Sequence, residues 1–148
     1  TLDKNKTRRL AAYESFFQSQ GVKVPKESVI NTDWTYESGE AAVDPFLASG
    51  CTACLAGNDL LAVGLCSGLR LRGYDVPRDF SVVSIDDTIL TRINRPQLTS
   101  IQPPIRELVS LTVQGLLAKI EDAPAPEFRL LMPELAVRES TGPVNGQV

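Results

Sequence analysis

The sequence predicts an α/β fold in which a mostly parallel sheet carries helices on both faces. Helix-like and strand-like segments alternate along the chain, and the strand-like runs are apolar or small-residue throughout. Strands buried on both faces are typical of parallel sheets, whose connecting helices cover the two faces. Two of these strands also end at adjacent polar side chains, which is unusual for segments that serve packing alone.

The elements follow from periodicity and from turn residues. Gly21 and Gly73 are candidate C-caps of two helices, and Thr35 is a candidate N-cap. Pro45 is expected to kink or shorten its helix, and Pro104 suits a helix start. The predicted helices cover about residues 5–20, 38–48, 60–71 and 104–120, and the predicted strands cover residues 27–31, 52–57, 80–85, 98–102, 128–132 and 135–138.

The helix over residues 60–71 is apolar nearly all round. Such a helix needs two burying surfaces. One is expected to be the sheet. The other is either a partner subunit, which would make the chain a homodimer through the Leu60 to Leu71 helix, or a covering segment of the same chain.

The strongest functional indication is the pair of polar strand ends. Asn58 and Asp59 follow the strand over 52–57, and Asp86 and Asp87 follow the strand over 80–85. The carboxyl ends of parallel strands open on one edge of a sheet, where ligands of open α/β sheets bind. Asn58 and Asp86 are therefore expected to face a shared crevice.

Composition excludes several classes of protein. The 148 residues are 43% apolar and 22% charged, and the net charge of -3 offers no basic surface for a polyanion. No apolar stretch approaches the roughly 20 residues that cross a bilayer, and the first residues have no signal-peptide layout. A cytoplasmic location, without membrane attachment, is expected.

The titratable residues argue against catalysis. The chain has no histidine, which removes the usual general base and the commonest metal ligand. Its three cysteines fit reduced thiols better than a disulfide framework. Cys51 and Cys54 have a redox-type spacing, but they enter a strand and do not begin a helix, so chance is the better interpretation. We expect no enzyme, no metal and no cofactor.

The chain resembles the lactose/galactose repressor (LacI/GalR) family of bacterial transcription regulators. The joint order and spacing of many short motifs carry this resemblance. They are Arg9-Leu-Ala-Ala-Tyr13, Asp33-Trp34 with Glu37-Ser-Gly39, Thr52-Ala53, Asn58-Asp59-Leu-Leu-Ala-Val-Gly64, Arg72-Gly73, Val76-Pro-Arg-Asp79, Ser81-Val-Val-Ser-Ile-Asp-Asp87, Pro96-Gln-Leu-Thr99 and Leu135-Ala-Val-Arg-Glu-Ser-Thr141.

The resemblance implies a type I periplasmic-binding-protein-like effector domain, of which these residues cover the C-terminal subdomain, incomplete at its N-terminus. Residues 1–95 would form the subdomain core, and residues 96–122 a strand and helix that cross to the N-terminal subdomain. Residues 123–141 would return as strands, and 142–148 would be a flexible tail. A central strand would be missing before residue 1, so a dimer, strand exchange or preceding residues are expected to fill the gap.

The resemblance also implies a sugar site made of Asp86 as carboxylate, Asn58 as amide, Arg9 as bidentate donor and Trp34 as stacking surface. On the sequence alone, Asn58 and Asp59 could cap a helix, Trp34 could be core packing, and Arg9 could be solvated, with Arg8 beside it. Asp87 could be the inward carboxylate in place of Asp86.

These observations predict the effector-sensing part of a sugar-responsive repressor. Ligand binding would alter the grip of an N-terminal helix-turn-helix headpiece, absent here, on operator DNA. A periplasmic sugar-binding or chemoreceptor module of the same fold is the alternative, and a thiol oxidoreductase is a third hypothesis. Effector affinity of these 148 residues alone is expected to be poor.

Overall fold

A computed structural model describes residues 4–124, 126–127 and 129–144, with side chains from Arg8 onward. Ten helices and strands and one short 3-10 helix, Lys26–Ser28, occur in these ranges. The helices are α1 (Lys4–Ser19), α2 (Tyr36–Ala41), α3 (Val43–Ala48), α4 (Asp59–Leu71), α5 (Ile89–Ile93) and α6 (Ile105–Ile120), and the strands are β1 (Ala53–Leu55), β2 (Ser81–Ile85), β3 (Thr99–Gln102) and β4 (Glu134–Ala136).

The four strands form one sheet in the order β1-β2-β3-β4. β1 pairs parallel with β2, with Cys54 opposite Val82, and β2 pairs parallel with β3. β4 closes the sheet antiparallel to β3. The predicted mostly parallel α/β sheet is therefore confirmed, and the ends of β1 and β2 open on the same edge.

Local signals fix the second helical region. The hydroxyl of Thr35 accepts a hydrogen bond from the backbone N–H of Ser38 at 3.2 Å, which confirms the predicted N-cap. One helix was predicted over residues 38–48, but the structure has two, α2 and α3, with a break at Ala42. Pro45 lies in the first turn of α3, where its missing N–H costs no helical bond. The expected shortening is confirmed.

Helix α4 is buried on two sides, as its composition predicted. It packs against β2 on one side and against α2 on another, so a segment of the same chain supplies the second burying surface. The approach of α2 is close: a Cβ on Gly64 would lie 2.0 Å from the carbonyl oxygen of Tyr36. The buried core gathers around this helix and consists of Val43, Phe46, Ala56, Ala62, Leu65, Cys66, Leu69, Val82 and Leu98.

Two predicted strands are wrong, and one helix was not predicted. Residues 27–31 pair with no strand; residues 27 and 28 belong to the 3-10 helix, and residues 28–31 line a cavity of about 220 Å³ that β1 also lines. Residues 129–132 are also irregular, and residue 128 lies outside the described residues. A strand needs a hydrogen-bonding neighbour, which the local pattern does not supply. The short helix α5 has too few residues for a clear periodicity.

The region over residues 96–122 is divided differently from the expectation. β3 is hydrogen-bonded to β2 and β4, so this strand lies in the same sheet as residues 1–95. Helix α6 contains no buried residue, and its apolar side chains Ile105, Leu108, Val109, Val113, Leu116, Leu117 and Ile120 are exposed by 48% or more. The crossing of α6 to another subdomain stays a prediction.

The end of the described chain is attached to β2. The backbone N–H of Gly142 donates to Ser81 Oγ at 3.2 Å, and Ser140 Oγ donates to the carbonyl of Val82 at 2.5 Å. A flexible tail was predicted over residues 142–148, of which residues 145–148 lie outside the described part of the chain.

Candidate functional site

Arg9 connects the two polar strand ends. From α1, its guanidinium donates a hydrogen bond to the carbonyl of Gly57, after β1, and lies 3.7 Å from the carboxylate of Asp86, after β2. It also covers the ring of Trp34, with 5.0 Å between the guanidinium carbon and the ring centroid. Three of the four predicted site residues therefore meet at one place. Arg8 is exposed, and Arg9 is the arginine that contacts the two strand ends.

Asp86 presents its carboxylate at the open end of β2. Its backbone has a φ of 110°, in the left-handed region that non-glycine residues rarely adopt. The side chain keeps 42% exposure, so a ligand has access to it. Partial burial raises the pKa of Asp86; the charge of Arg9 opposes this rise and the charge of Asp59 adds to it.

Asn58 lies at the edge of the site, but its side chain is already used in the structure. Its Oδ1 accepts from the N–H of Leu61 at 2.9 Å and caps α4. Its Nδ2 donates to the carbonyl of Trp34 at 3.2 Å, which ties the segment that carries the aromatic ring to the start of α4. The capping alternative is thus realised, and a ligand contact of Asn58 would use the second N–H of the amide.

Trp34 is half-buried and packs beside the chain between β1 and α4. A Cβ on Gly57 would lie 3.5 Å from its ring, an ordinary contact distance. One ring face is under the Arg9 guanidinium. Cation and aromatic ring attract each other by about 0.5–1 kcal/mol at partly exposed sites. The contacts with Gly57 and Arg9 therefore fix the position of the ring at the site, and the ring is not part of the buried core.

A second carboxylate, that of Asp59, lies beneath the site. From the sequence, only a helix-capping role could be assigned to it. Asp59 is 2% exposed and accepts hydrogen bonds from the N–H and hydroxyl of Thr88, both at 2.7 Å. Ser100 Oγ donates to its other oxygen at 3.2 Å. Asp59 thereby fixes the loop after β2. Its position directly after Asn58 was the only signal in the sequence.

Asp87 points away from Arg9 and into the protein. Its side chain is 1% exposed and pairs with Arg138 at 2.6 Å and with Arg92 at 3.2 Å. The alternative that Asp87 is the ligand carboxylate therefore has no geometric support. Sequence reasoning missed Arg138, since it follows the last strand and nothing in its local pattern links it to residue 87.

The cavity beside β1 reaches the site, since Arg9 and Trp34 line it together with mostly apolar side chains. It is lined in part by Tyr13, Cys51, Cys54 and Leu55. Burial raises the pKa of the Cys54 thiol to about 12, and the neighbouring Cys51 adds to the rise. A redox cysteine needs a lowered pKa, so this thiol is unsuited to thiol exchange at neutral pH.

Within the ranges that the structure describes, no group of three His, Cys, Asp or Glu side chains could hold a metal ion. None of the helices placed in those ranges has the length and apolar character needed to span a bilayer.

The groups at the site are a carboxylate, a guanidinium, an amide and an aromatic plate, which together can hold neighbouring hydroxyls and an apolar ring face.

A mostly parallel sheet with a polar cluster at the carboxyl ends of its strands is typical of ligand-binding α/β domains, among them the periplasmic-binding-protein-like class. A family model described as the periplasmic binding protein-like domain matches residues 1–141. The chain belongs to this family, in the form found in LacI-type transcriptional regulators.

The relatives agree with this assignment. The HTH-type transcriptional regulator MalR of Streptomyces coelicolor is 38% identical over 125 residues, which are 84% of this chain and 36% of MalR. The chain thus spans about a third of that relative's length. A LacI family regulator from Enterococcus faecium with bound ribose is 29% identical, with a TM-score of 0.83 over 96% of this chain and 54% of that chain. The regulator CelR in complex with cellobiose is 30% identical, with a TM-score of 0.76 over 90% and 42% of the two chains.

Proposed function

We propose that the chain is the effector-sensing part of a LacI-type transcriptional regulator and that its effector is a sugar or sugar-like molecule. The observation that carries the proposal is Arg9, which lies over Trp34 and beside Asp86. In this arrangement the carboxylate accepts from two hydroxyls, the guanidinium donates to others, and the indole ring covers the apolar face of a pyranose or furanose.

Two solved relatives support the ligand class, because one holds ribose and the other cellobiose. The relatives are named as transcriptional regulators, which favours binding over turnover and favours a regulator over a periplasmic transport module. In the proposed protein, ligand binding changes the position of an N-terminal DNA-binding headpiece and so its affinity for operator DNA. Such a protein works in the cytoplasm, where its DNA is.

The proposed regulator acts as a homodimer. Helix α4 presents only its ends to solvent as apolar surface, through Leu60 at 43% and Leu71 at 79% exposure. Helix α5 packs beside α4 and adds Ile89 and Ile93, which are 65% and 62% exposed. We propose that α4 and α5 together form the subunit contact, whereas the sequence predicted a contact through α4 alone.

Fluorescence of Trp34, the only tryptophan of the chain, tests the proposal. A sugar that stacks on the indole ring displaces Arg9 and changes the emission. Ribose, cellobiose and a panel of other sugars and nucleobases are titrated into the full natural protein that contains these residues. Saturable changes for a sugar support the proposal. No change and no heat of binding with any sugar, or binding of nucleobases alone, contradict it.

The 148 residues alone are expected to bind weakly. Arg9 and Asp86 keep 38% and 42% exposure, so the described residues surround a ligand on one side only. Calorimetry is expected to give a dissociation constant well above the micromolar range for ribose and cellobiose. A micromolar constant for this chain alone would show that one wall is sufficient.

A further inference from the structure

Beneath the candidate site, Asp87, which follows Asp86, forms a buried ion pair with Arg138 near the C-terminal end of the described chain. The side chain of Asp87 is 1% exposed, and Arg138 Nη2 donates to its Oδ1 at 2.6 Å. Thr91 Oγ1 donates to the same oxygen at 2.9 Å. Breaking a buried pair leaves an uncompensated charge, which is far more costly than breaking an exposed one. Asp87 therefore has one strongly preferred position.

Arg138 is itself held by the backbone of the sheet. Its Nη1 donates to the carbonyl of Leu98 at 2.6 Å and to Thr91 Oγ1 at 3.1 Å. Its own N–H donates to Thr99 Oγ1 at 2.9 Å. The guanidinium thus reaches from the end of β4, beside the start of β3, to the loop after β2. A lysine keeps the charge at this position but lacks the fork that serves these acceptors together.

The turn that Asp87 belongs to is strained. Asp86 has a φ of 110° and Asp87 a φ of 48°, so two consecutive non-glycine residues are in the left-handed region. Each such residue costs on the order of 1–3 kcal/mol and persists only where its surroundings fix it. The N–H of Asp86 donates to the carbonyl of Ile101 at 3.0 Å, and the N–H of Asp87 donates to Ser100 Oγ at 3.2 Å.

We infer that Arg138 is a positioning residue of the effector site: through Asp87 it holds the strained turn that presents Asp86 to Arg9. Arg138 touches no group that faces the ligand position and acts only through the turn. This inference rests on the proposed function for its meaning in ligand binding, since Asp86 is the proposed ligand carboxylate. It gives the segment after β4 a role at the turn after β2, although β3 lies between these two strands in the sheet.

Backbone hydrogen exchange measured by NMR tests the positioning role without any ligand. In Arg138→Lys, the amides of Asp86 and Asp87 are expected to exchange at least about tenfold faster, since the turn loses its charge-assisted fork. The amides of Leu65 and Leu69 in α4 are expected to keep their rates. Arg92→Lys is the matched control, because Arg92 pairs with the other oxygen of Asp87 but is 55% exposed; its effect is expected to stay within about twofold.

Several outcomes overturn the inference. Unchanged exchange at residues 86 and 87 in Arg138→Lys would show that the turn holds itself. Equal acceleration in α4 would show that Arg138 only stabilises the whole fold. Asp87→Asn, which keeps the shape and removes the charge, is expected to reproduce the local acceleration. Failure of both variants to fold would make the pair a fold determinant and also contradict the inference.

Ribose titration monitored by Trp34 fluorescence in the full natural protein separates this inference from the proposed function. Absence of binding of every sugar in the panel to the unchanged protein counts against the proposed function alone, because the exchange measurement needs no sugar. Where the unchanged protein binds, Arg138→Lys is expected to weaken affinity by about five- to tenfold and Arg92→Lys by less than about twofold. Equal affinity in Arg138→Lys would overturn the inference.

Discussion

Arg9 lies 3.7 Å from Asp86, and the two residues belong to α1 and to the turn after β2. The same guanidinium bonds the carbonyl of Gly57 and covers Trp34. One side chain therefore joins the first helix, the segment before α2 and the ends of two strands. Since both partners remain partly exposed, a ligand hydroxyl can replace water at the pair without first breaking a buried contact.

Replacement of Arg9 by lysine is expected to weaken sugar binding by at least about tenfold, because a lysine point charge lacks the planar fork of arginine. The midpoint of thermal unfolding is expected to change little, since exposed ion pairs contribute only about 0–1 kcal/mol. Sugar titration of Trp34 emission and circular dichroism melting measure the two effects. Arg8→Lys, one position earlier and exposed, is the control and is expected to leave both values unchanged.

Asp86→Asn is expected to lower sugar affinity by about ten- to a hundredfold, the usual range for a lost hydrogen bond to a charged group. Its unfolding midpoint at neutral pH is expected to rise. The raised pKa of Asp86, caused first by burial, means that the folded state disfavours the ionised carboxylate. This destabilisation is present above the folded-state pKa and disappears as the pH falls through it.

Asp79 is the matched control, because its pKa is shifted in the direction opposite to that of Asp86. A side-chain hydrogen bond from Arg78 lowers the pKa of Asp79. Its contribution to stability is present above the unfolded pKa and is lost as the pH falls through the folded one. Asp79→Asn is therefore expected to lower the unfolding midpoint at neutral pH and to leave sugar binding intact. Shifts of the same sign in both variants would contradict the assignment for Asp86.

The sequence predicted the site where local signals and topology agree. The apolar runs that end at Asn58 and Asp86 indicated parallel strands with a shared edge, and the pairing of β1 with β2 confirms it. The choice of Arg9 over Arg8 came from the family resemblance, because helical spacing alone did not orient α1. The ion pair of Asp87 with Arg138 was out of reach, since no local pattern records which distant side chains meet.

The same limit explains the wrong strand over residues 27–31. Its composition suits a strand, but a strand exists only with a neighbour, and the described residues place a cavity between this segment and β1. Helix α4 shows the converse. Its all-round apolar composition correctly predicted two burying surfaces. The second surface is α2, and the close approach of the two helix backbones depends on Gly39 and Gly64.

Gly64→Ala is expected to destabilise the protein by about 3 kcal/mol or more, at the upper end of overpacking costs. The added Cβ would meet the Tyr36 carbonyl oxygen at 2.0 Å, a backbone atom that moves only with α2. Gly115→Ala is the control: this glycine lies in α6, the nearest atom to its Cβ is 3.9 Å away, and helix propensity predicts a gain of about 0.5–1 kcal/mol. Urea unfolding measures both. Equal free energies of unfolding for Gly64→Ala and the unchanged chain would contradict the packing.

Cys54 and Cys66 are expected to resist alkylation in the folded protein. Burial raises the pKa of both thiols to about 12, so the reactive thiolate fraction at pH 7.5 is of the order of 10⁻⁴ to 10⁻⁵. Iodoacetamide labelling followed by peptide mass spectrometry is expected to modify both only after denaturation. Rapid native labelling of Cys54 at neutral pH would revive the thiol oxidoreductase hypothesis.

The 148-residue chain is expected to self-associate in solution. Two features favour association: the cavity that flanks the β1 edge, and the exposed apolar side chains of α6, among them Leu108 at 50% and Leu116 at 58%. Light scattering across a concentration series is expected to give a mass above the 16.1 kDa of one chain. A clean monomer that melts in one sharp transition would contradict the prediction.

A charge placed on α6 tests whether this helix forms the contact between chains. Leu116→Glu is expected to reduce the associated fraction if α6 is the contact, while Gln114→Glu, an exposed polar position on the same helix, adds the same charge as a control. If both variants associate as the unchanged chain does, the contact is either the open edge of β1 or the α4 and α5 surface proposed above. Leu55→Pro, which removes one N–H of β1, tells these two apart. It is expected to shift the mass toward one chain if an extended strand completes the sheet at the β1 edge, since unpaired strand edges join other strands.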